Sequence, residues 1–223
     1  MCHSAHRQQG VTIVELVIFI VIVGIAAAAI LQVVNLATRN SADPLRRKQA
    51  MLIAEAYMEE VQQAQFTVCD VSDANAATAT IAEQGAGASD PTRCASAPKT
   101  FGRVGTKSRP YDNITDYVSV GYKLGNAERA FVGTDSSGKQ VDTDVAGNPL
   151  GASSIGTTLG NSALDGITTT LALNNVAGLG GLNSDASDPK TMIALRITIT
   201  TTYGPGQSIT LEGYRTRYAP EAR

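Results

Sequence analysis

Residues 9–34 read QGVTIVELVIFIVIVGIAAAAILQVV, and the fate of this stretch decides the fold. From Val11 to Val34 only Thr12, Glu15, Gly24 and Gln32 interrupt the apolar run. About 20 consecutive apolar residues cross a bilayer as a helix, which satisfies its own backbone there. Arg7 precedes the run with no acidic residue nearby, which predicts a cytoplasmic N-terminus and an exported remainder. Three fates compete. The stretch could be a conventional signal peptide, with Ala26–Ala29 as a small-residue cleavage site. It could be a plain membrane anchor. Or a polar leader, residues 1–10, is cut away and the apolar helix is kept.

Glu15 separates these fates. A carboxylate at the centre of a membrane span costs about 2.5–3.5 kcal/mol on insertion scales, and less near an end. A disposable signal or simple anchor gains nothing from that cost. A filament subunit does. Cleavage between Gly10 and Val11 makes Glu15 the fifth residue of the mature chain, one helical turn from a new ammonium. A neighbouring subunit can bring its own N-terminal ammonium to that carboxylate. In low dielectric such a pair holds only when both charges are matched, so it fixes register as well as adhesion.

Gln9-Gly10-Val11-Thr12-Ile13-Val14-Glu15-Leu16 resembles the prepilin peptidase recognition motif of type IV pilins and type II secretion pseudopilins. The resemblance implies peptidase cleavage after Gly10, methylation of the Val11 amine, and an assembly role for Glu15. The first mature residue in that family is usually Phe or Met. Val11 departs from this, which is expected to slow methylation without blocking cleavage.

Beyond the span, Asn40-Ser41-Ala42-Asp43-Pro44 leads into a second helical pattern. Pro44 either kinks a continuous helix or starts a new one capped by Ser41 or Asp43. Leu45, Leu52, Ile53, Ala56, Tyr57, Val61 and Ala64 form the expected apolar face, with Glu55, Glu59 and Glu60 mostly elsewhere. Arg46-Arg47-Lys48 reads as a solvated basic face, with contact to lipid headgroups or a partner as the alternative. The helix is expected to end near Phe66 to Cys69. The segments Asn40–Pro44, Arg47–Ala50, Ile53–Glu55, Glu59-Glu60, Phe66–Asp70, Asp112–Tyr117 and Gly213–Tyr218 resemble the MshD-type minor pilins of mannose-sensitive haemagglutinin pili. That likeness implies a minor pilin serving adhesion or motility. Its partners would be prepilin peptidase, the inner membrane and other pilins met through their N-terminal helices. A minor pseudopilin of a type II secretion system and a pilus-tip adhesin or ligand-binding module are the alternatives.

Composition agrees with a structural role. The chain has 223 residues, 17% of them charged, with a formal net charge of -2, so nothing argues for nucleic acid. Both histidines, His3 and His6, lie in the leader. Once the leader is removed, His-dependent catalysis and His-based metal sites are excluded, so no enzyme, cofactor or metal is expected. Cys69 and Cys94 enclose a segment of low hydrophobicity. Export favours a disulfide that would stabilise by roughly 3 kcal/mol, two free thiols being the alternative.

The β signals come late. Tyr117–Tyr122 and Ile167–Leu173 each suggest a strand. Met192–Tyr203 and Ser208–Tyr218 alternate around Gly204-Pro205-Gly206, a hairpin with about a three-residue loop. The fold class is α+β, a long N-terminal helix packed on a mainly antiparallel sheet of about four or more strands. The expected division is 1–10 leader, 11–34 membrane and assembly helix, 35–68 amphipathic continuation, and 69–223 periplasmic β-rich domain. Gly102–Ser108 fails phosphate-loop spacing, Gly178–Gly181 is no dinucleotide fingerprint, and Asp142–Asn148 lacks the ligands of a calcium loop.

Overall fold

The computed structural model describes residues 12–103, 105–135, 137–151, 164, 166–176 and 192–217, with backbone alone over 36–43. Gly10, Val11 and Gly178–Gly181 lie outside these residues. The chain divides into two compact units, Met1–Leu45 and Arg46–Arg223.

One helix, α1 (Ile13–Gln63), has 51 residues and includes Pro44, so the proline does not begin a second helix. Proline lacks the N–H for that turn and crowds the carbonyl four residues back. Here the boundary between the units follows it by one residue. In the first unit, Ile13–Asn35 is long and apolar enough to cross a membrane, and none of it is buried.

In the second unit α1 buries Ala50, Ala54, Tyr57, Met58, Val61 and Ala64. The expected apolar face is therefore partly out of phase: Tyr57, Val61 and Ala64 are inside, while Leu45, Leu52 and Ala56 are exposed. Burying a large apolar side chain is worth about 1.5–3 kcal/mol, so the face with more partners wins. The helix stops at Gln63, short of Phe66, because Gln65 pairs elsewhere. Its N–H donates to the Asp112 carbonyl and its own carbonyl accepts from Ile114 N–H, both at 2.9 Å.

The main sheet is β5 (Thr168–Asn175), β6 (Ala194–Gly204) and β7 (Gln207–Thr216), antiparallel in the order β5-β6-β7. Leu171, Leu173, Leu195, Ile197 and Ile199 point into the core that α1 covers. Thr169 and Thr201 share that face, and their hydroxyls satisfy each other at 3.1 Å. Gly213 lets β7 approach the helix: a Cβ there would lie 2.9 Å from Met58 Sδ. The hairpin loop is Pro205-Gly206, one residue shorter than expected, with Gly204 paired to Gln207. Pro at the first central position and Gly206 at φ 69° suit a type II turn.

Among the described residues this sheet has three strands rather than four or more. The place beside β5 is taken by a loop that makes one bridge, Glu128 to Leu171. Tyr122 anchors that loop, its hydroxyl accepting from Leu173 N–H at 2.8 Å and donating to the Asn126 carbonyl at 2.6 Å. Tyr117–Tyr122 is accordingly not a strand. Asn113 caps a 3-10 turn over Ile114–Tyr117, and Ser119 and Val120 are exposed. Two small ribbons complete the described unit. They are parallel β1 (Ile81–Gln84) with β2 (Arg93–Cys94), and antiparallel β3 (Val132–Thr134) with β4 (Gln140–Asp142).

The first ribbon belongs to a lobe closed by the Cys69–Cys94 disulfide, whose Cα atoms are 5.5 Å apart. Its apolar cluster is only Val68, Cys69, Ala79 and Cys94, with Ala82 packed alongside. Polar side chains do the rest. Asp73 accepts from the N–H groups of Asn75, Ala95 and Ser96, and the Asn75 amide donates to the carbonyls of Asp90 and Arg93 at 2.8 Å. So small a cluster cannot replace the covalent link. The double variant Cys69→Ser/Cys94→Ser is expected to lose about 2–4 kcal/mol in urea unfolding, with the lobe becoming the first site of proteolysis.

Candidate functional site

The expected site residues fall into separate places. Gly10 and Val11 are outside the described residues. Glu15 sits in the first turn of α1, in the first unit. Cys69 and Cys94 form the disulfide of the second unit.

Thr12 caps α1. Its Oγ1 accepts from Glu15 N–H at 3.3 Å and its carbonyl accepts from Leu16 N–H at 3.2 Å. Thr12-x-x-Glu15 therefore has the spacing of a capping box, and an acid in the first turn also suits the helix dipole. Sequence reasoning missed this second, local reason for a glutamate at position 15. It does not explain the next feature. Every residue described from Thr12 to Asn35 is exposed, including Phe19, Ile20 and Leu31. A bare apolar helix of this length needs a hydrocarbon or other helices around it.

The second unit holds charge that the sequence did not announce. Glu60, expected off the apolar face, is buried. Arg109 meets it with two hydrogen bonds, Nε to Oε1 at 2.8 Å and Nη2 to Oε2 at 2.6 Å. The guanidinium also donates to the Thr143 carbonyl at 3.1 Å. It lies 5.4 Å from the Tyr57 ring centroid and 5.0 Å from that of Phe131, two rings stacked 3.9 Å apart. Tyr117 donates its hydroxyl to Glu60 at 3.0 Å. Burial, then the Glu60 charge, pushes the Tyr117 phenol well above its usual range. The signal for Glu60 was its spacing: positions 53, 57, 60 and 64 share a helix face.

A second network joins the disulfide lobe to the core. Lys99 Nζ lies 2.6 Å from Asp116 Oδ1 and 3.1 Å from Asp70 Oδ2. Lys107 Nζ reaches Asp70 at 3.1 Å, Asp112 at 3.0 Å and Asp116 Oδ2 at 3.6 Å. Burial pushes the Asp116 carboxyl up against the pull of Lys99 and Lys107. Burial also raises Asp70, but hydrogen bonds from Ser72, Lys99 and Lys107 outweigh it and hold Asp70 well below the usual range.

The signs give a pH dependence. The stability from Asp70 is present above its unfolded pKa of about 3.9 and is lost as pH falls through the lower folded value. While its carboxyl is free, Asp116 acts oppositely, contributing most below that unfolded value and losing its share as pH rises through the folded one. Urea midpoints should therefore fall on acidification below about pH 4. In Asp70→Asn the neutral-pH midpoint should be lower and the acid limb shallower; an unaltered acid limb contradicts the assignment.

Asp142 ends β4 and faces Arg129 at 2.5 Å, and Asp144–Asn148 is a turn in which Asp144 accepts from Asn148 N–H at 2.8 Å. An open pocket of about 490 Å³ is lined by Arg103, Lys107, Tyr111, Asp116 and Arg129 among others.

Residues 5–31 match the Prokaryotic N-terminal methylation motif. No curated protein and no solved structure matches the chain. The match supports a type IV pilin-like or pseudopilin-like prepilin, a structural class rather than an enzymatic one.

Proposed function

We propose that the chain is a minor type IV pilin of the mannose-sensitive haemagglutinin kind, a structural subunit that joins a filament or primes its assembly. The observation that carries this reading is the exposed apolar helix Ile13–Asn35, which begins inside the matched motif and bears one acid, Glu15. Prepilin peptidase cuts after Gly10 and methylates Val11, so the helix survives processing. The subunit first rests in the inner membrane through this single helix, with the second unit in the periplasm. It then leaves the bilayer as its helix packs among those of other pilins. Glu15 accepts the N-terminal ammonium of a neighbour in that bundle.

Deletion of the gene tests the choice of system. Loss of surface pili with intact protein secretion supports the pilus assignment. Normal pili with failed secretion of exoenzymes moves the subunit to a type II secretion pseudopilus. A second reading, a ligand-binding module, draws on the open pocket lined by Arg103, Lys107 and Tyr111. A binding screen against cells and glycans should start from Arg46, because the core needs Ala54, Tyr57 and Val61 of α1.

A further inference from the structure

The buried Lys99–Asp116 pair is unlike an ordinary ion pair. The Lys99 side chain is 2% exposed and that of Asp116 0%. Their nitrogen and oxygen are 2.6 Å apart, and Asp116 Oδ2 has no hydrogen-bond partner among the described residues. A second carboxylate, Asp70, touches the same Lys99 nitrogen at 3.1 Å. Lys107 bridges the two acids, 3.1 Å from Asp70 and 3.6 Å from Asp116 Oδ2. An amine held against a carboxyl group, away from water and beside a second acid, is placed for condensation.

The geometry points to an intramolecular isopeptide bond between Lys99 Nζ and Asp116 Cγ, assisted by Asp70. One ammonium proton crosses to Asp116, and the free amine attacks Cγ. Asp70 takes a second proton from nitrogen and returns it, through the Lys107 ammonium that contacts both carboxylates, to the departing oxygen. The Nζ–Cγ bond forms and one Cγ–O bond breaks. Two ammonium hydrogens and one carboxylate oxygen leave as water, so no oxidant or co-reactant is required. The open pocket that Asp116 and Lys107 line gives the water an exit.

Two physical effects favour the reaction. Fixed geometry supplies effective molarities of about 10⁵–10⁸ M, which speeds the attack of the amine on Cγ. The amide also removes two buried charges whose desolvation is costly. The link would join the loop after the disulfide lobe to the turn Ile114–Tyr117, giving a filament subunit a second covalent tie beside Cys69–Cys94. It does not depend on the pilin reading.

The test is a tryptic mass map of the full chain purified from detergent-solubilised membranes, with the disulfide confirmed intact as evidence of folding. The expected result is a branched peptide joining the Lys99 and Asp116 segments, one water lighter than their sum, with no cleavage after Lys99. Lys99→Arg keeps the positive charge and should give only linear peptides. Asp70→Asn keeps both partners and should lower the linked fraction at least tenfold. Linear peptides with cleavage after Lys99 in the folded wild type overturn the proposal, leaving an ion pair only. A normal linked fraction in Asp70→Asn overturns the role of Asp70.

Discussion

Replacing Glu15 by Gln is expected to leave leader cleavage intact and to remove the subunit from filaments almost completely. The choice of Gln is what gives the experiment its force. Glu15 has two jobs available to it: closing the capping box with Thr12, and carrying charge into an apolar bundle. Gln occupies the third position of a capping box about as well as Glu, so helix initiation is retained. Only the charge goes. Leaving a neighbour's ammonium buried without a partner costs about 3 kcal/mol or more, a factor of about a hundred in incorporation. Glu15→Ala, which removes both jobs, should do little further harm. Quantifying the subunit in sheared filaments against the processed pool in membranes measures this. If Gln incorporates normally and Ala does not, Glu15 is a capping residue and the inter-subunit pair is withdrawn.

The second large effect belongs to Arg109. It reaches α1 from a loop distant in sequence and meets Glu60 with two hydrogen bonds in a nearly closed site. Arg109→Ala leaves the buried Glu60 carboxylate without its cation, held by the Tyr117 hydroxyl alone among the hydrogen bonds described. The expected loss is about 3–5 kcal/mol, or roughly 6–20 °C in Tm for a unit of this size. Arg109→Lys should recover little, because an ammonium cannot make the paired contact with Glu60 or offer a planar, delocalised cation to the stacked Tyr57 and Phe131 rings. The double variant Glu60→Met/Arg109→Met should be far milder than Arg109→Ala, since it removes both buried charges together. Thermal unfolding of the four proteins decides this. A double variant as unstable as the single one would show that the site depends on shape rather than charge pairing.

Local periodicity made part of this structure legible. The apolar run from Val11 to Val34 is long enough to span a bilayer only as a helix, and the residues around Gly204-Pro205-Gly206 alternate with the period of a strand. Helix α1 and the β6–β7 hairpin follow from it. Where the reading failed, side chains were serving distant partners. Tyr117 and Tyr122 look like alternating strand residues, yet one hydroxyl is held by Glu60 and the other by Leu173 of β5. The apolar face of α1 was read a fraction of a turn out because Leu45, Leu52 and Ala56 are as greasy as the residues that are buried. Lys99, Arg109 and Asp116 carried no local signal, since a charge in a loop is ordinarily solvated and only tertiary packing encloses these.

The candidate assembly site was legible for a different reason. A carboxylate is so costly in an apolar span that its presence at Glu15 demands an explanation from residues beside it in sequence. Thr12 was the part overlooked. It supplies a capping reason for the acid, and so makes the Gln variant a sharper instrument than Ala.

Sequencing the first residues of the membrane-extracted protein by mass spectrometry asks directly whether the hydrophobic helix is a permanent part of the subunit. The expected first residue is N-methylated Val11, with Glu15 and the whole of Ile13–Asn35 still attached. A mature chain beginning near Ile30, stripped of that helix, would contradict that expectation.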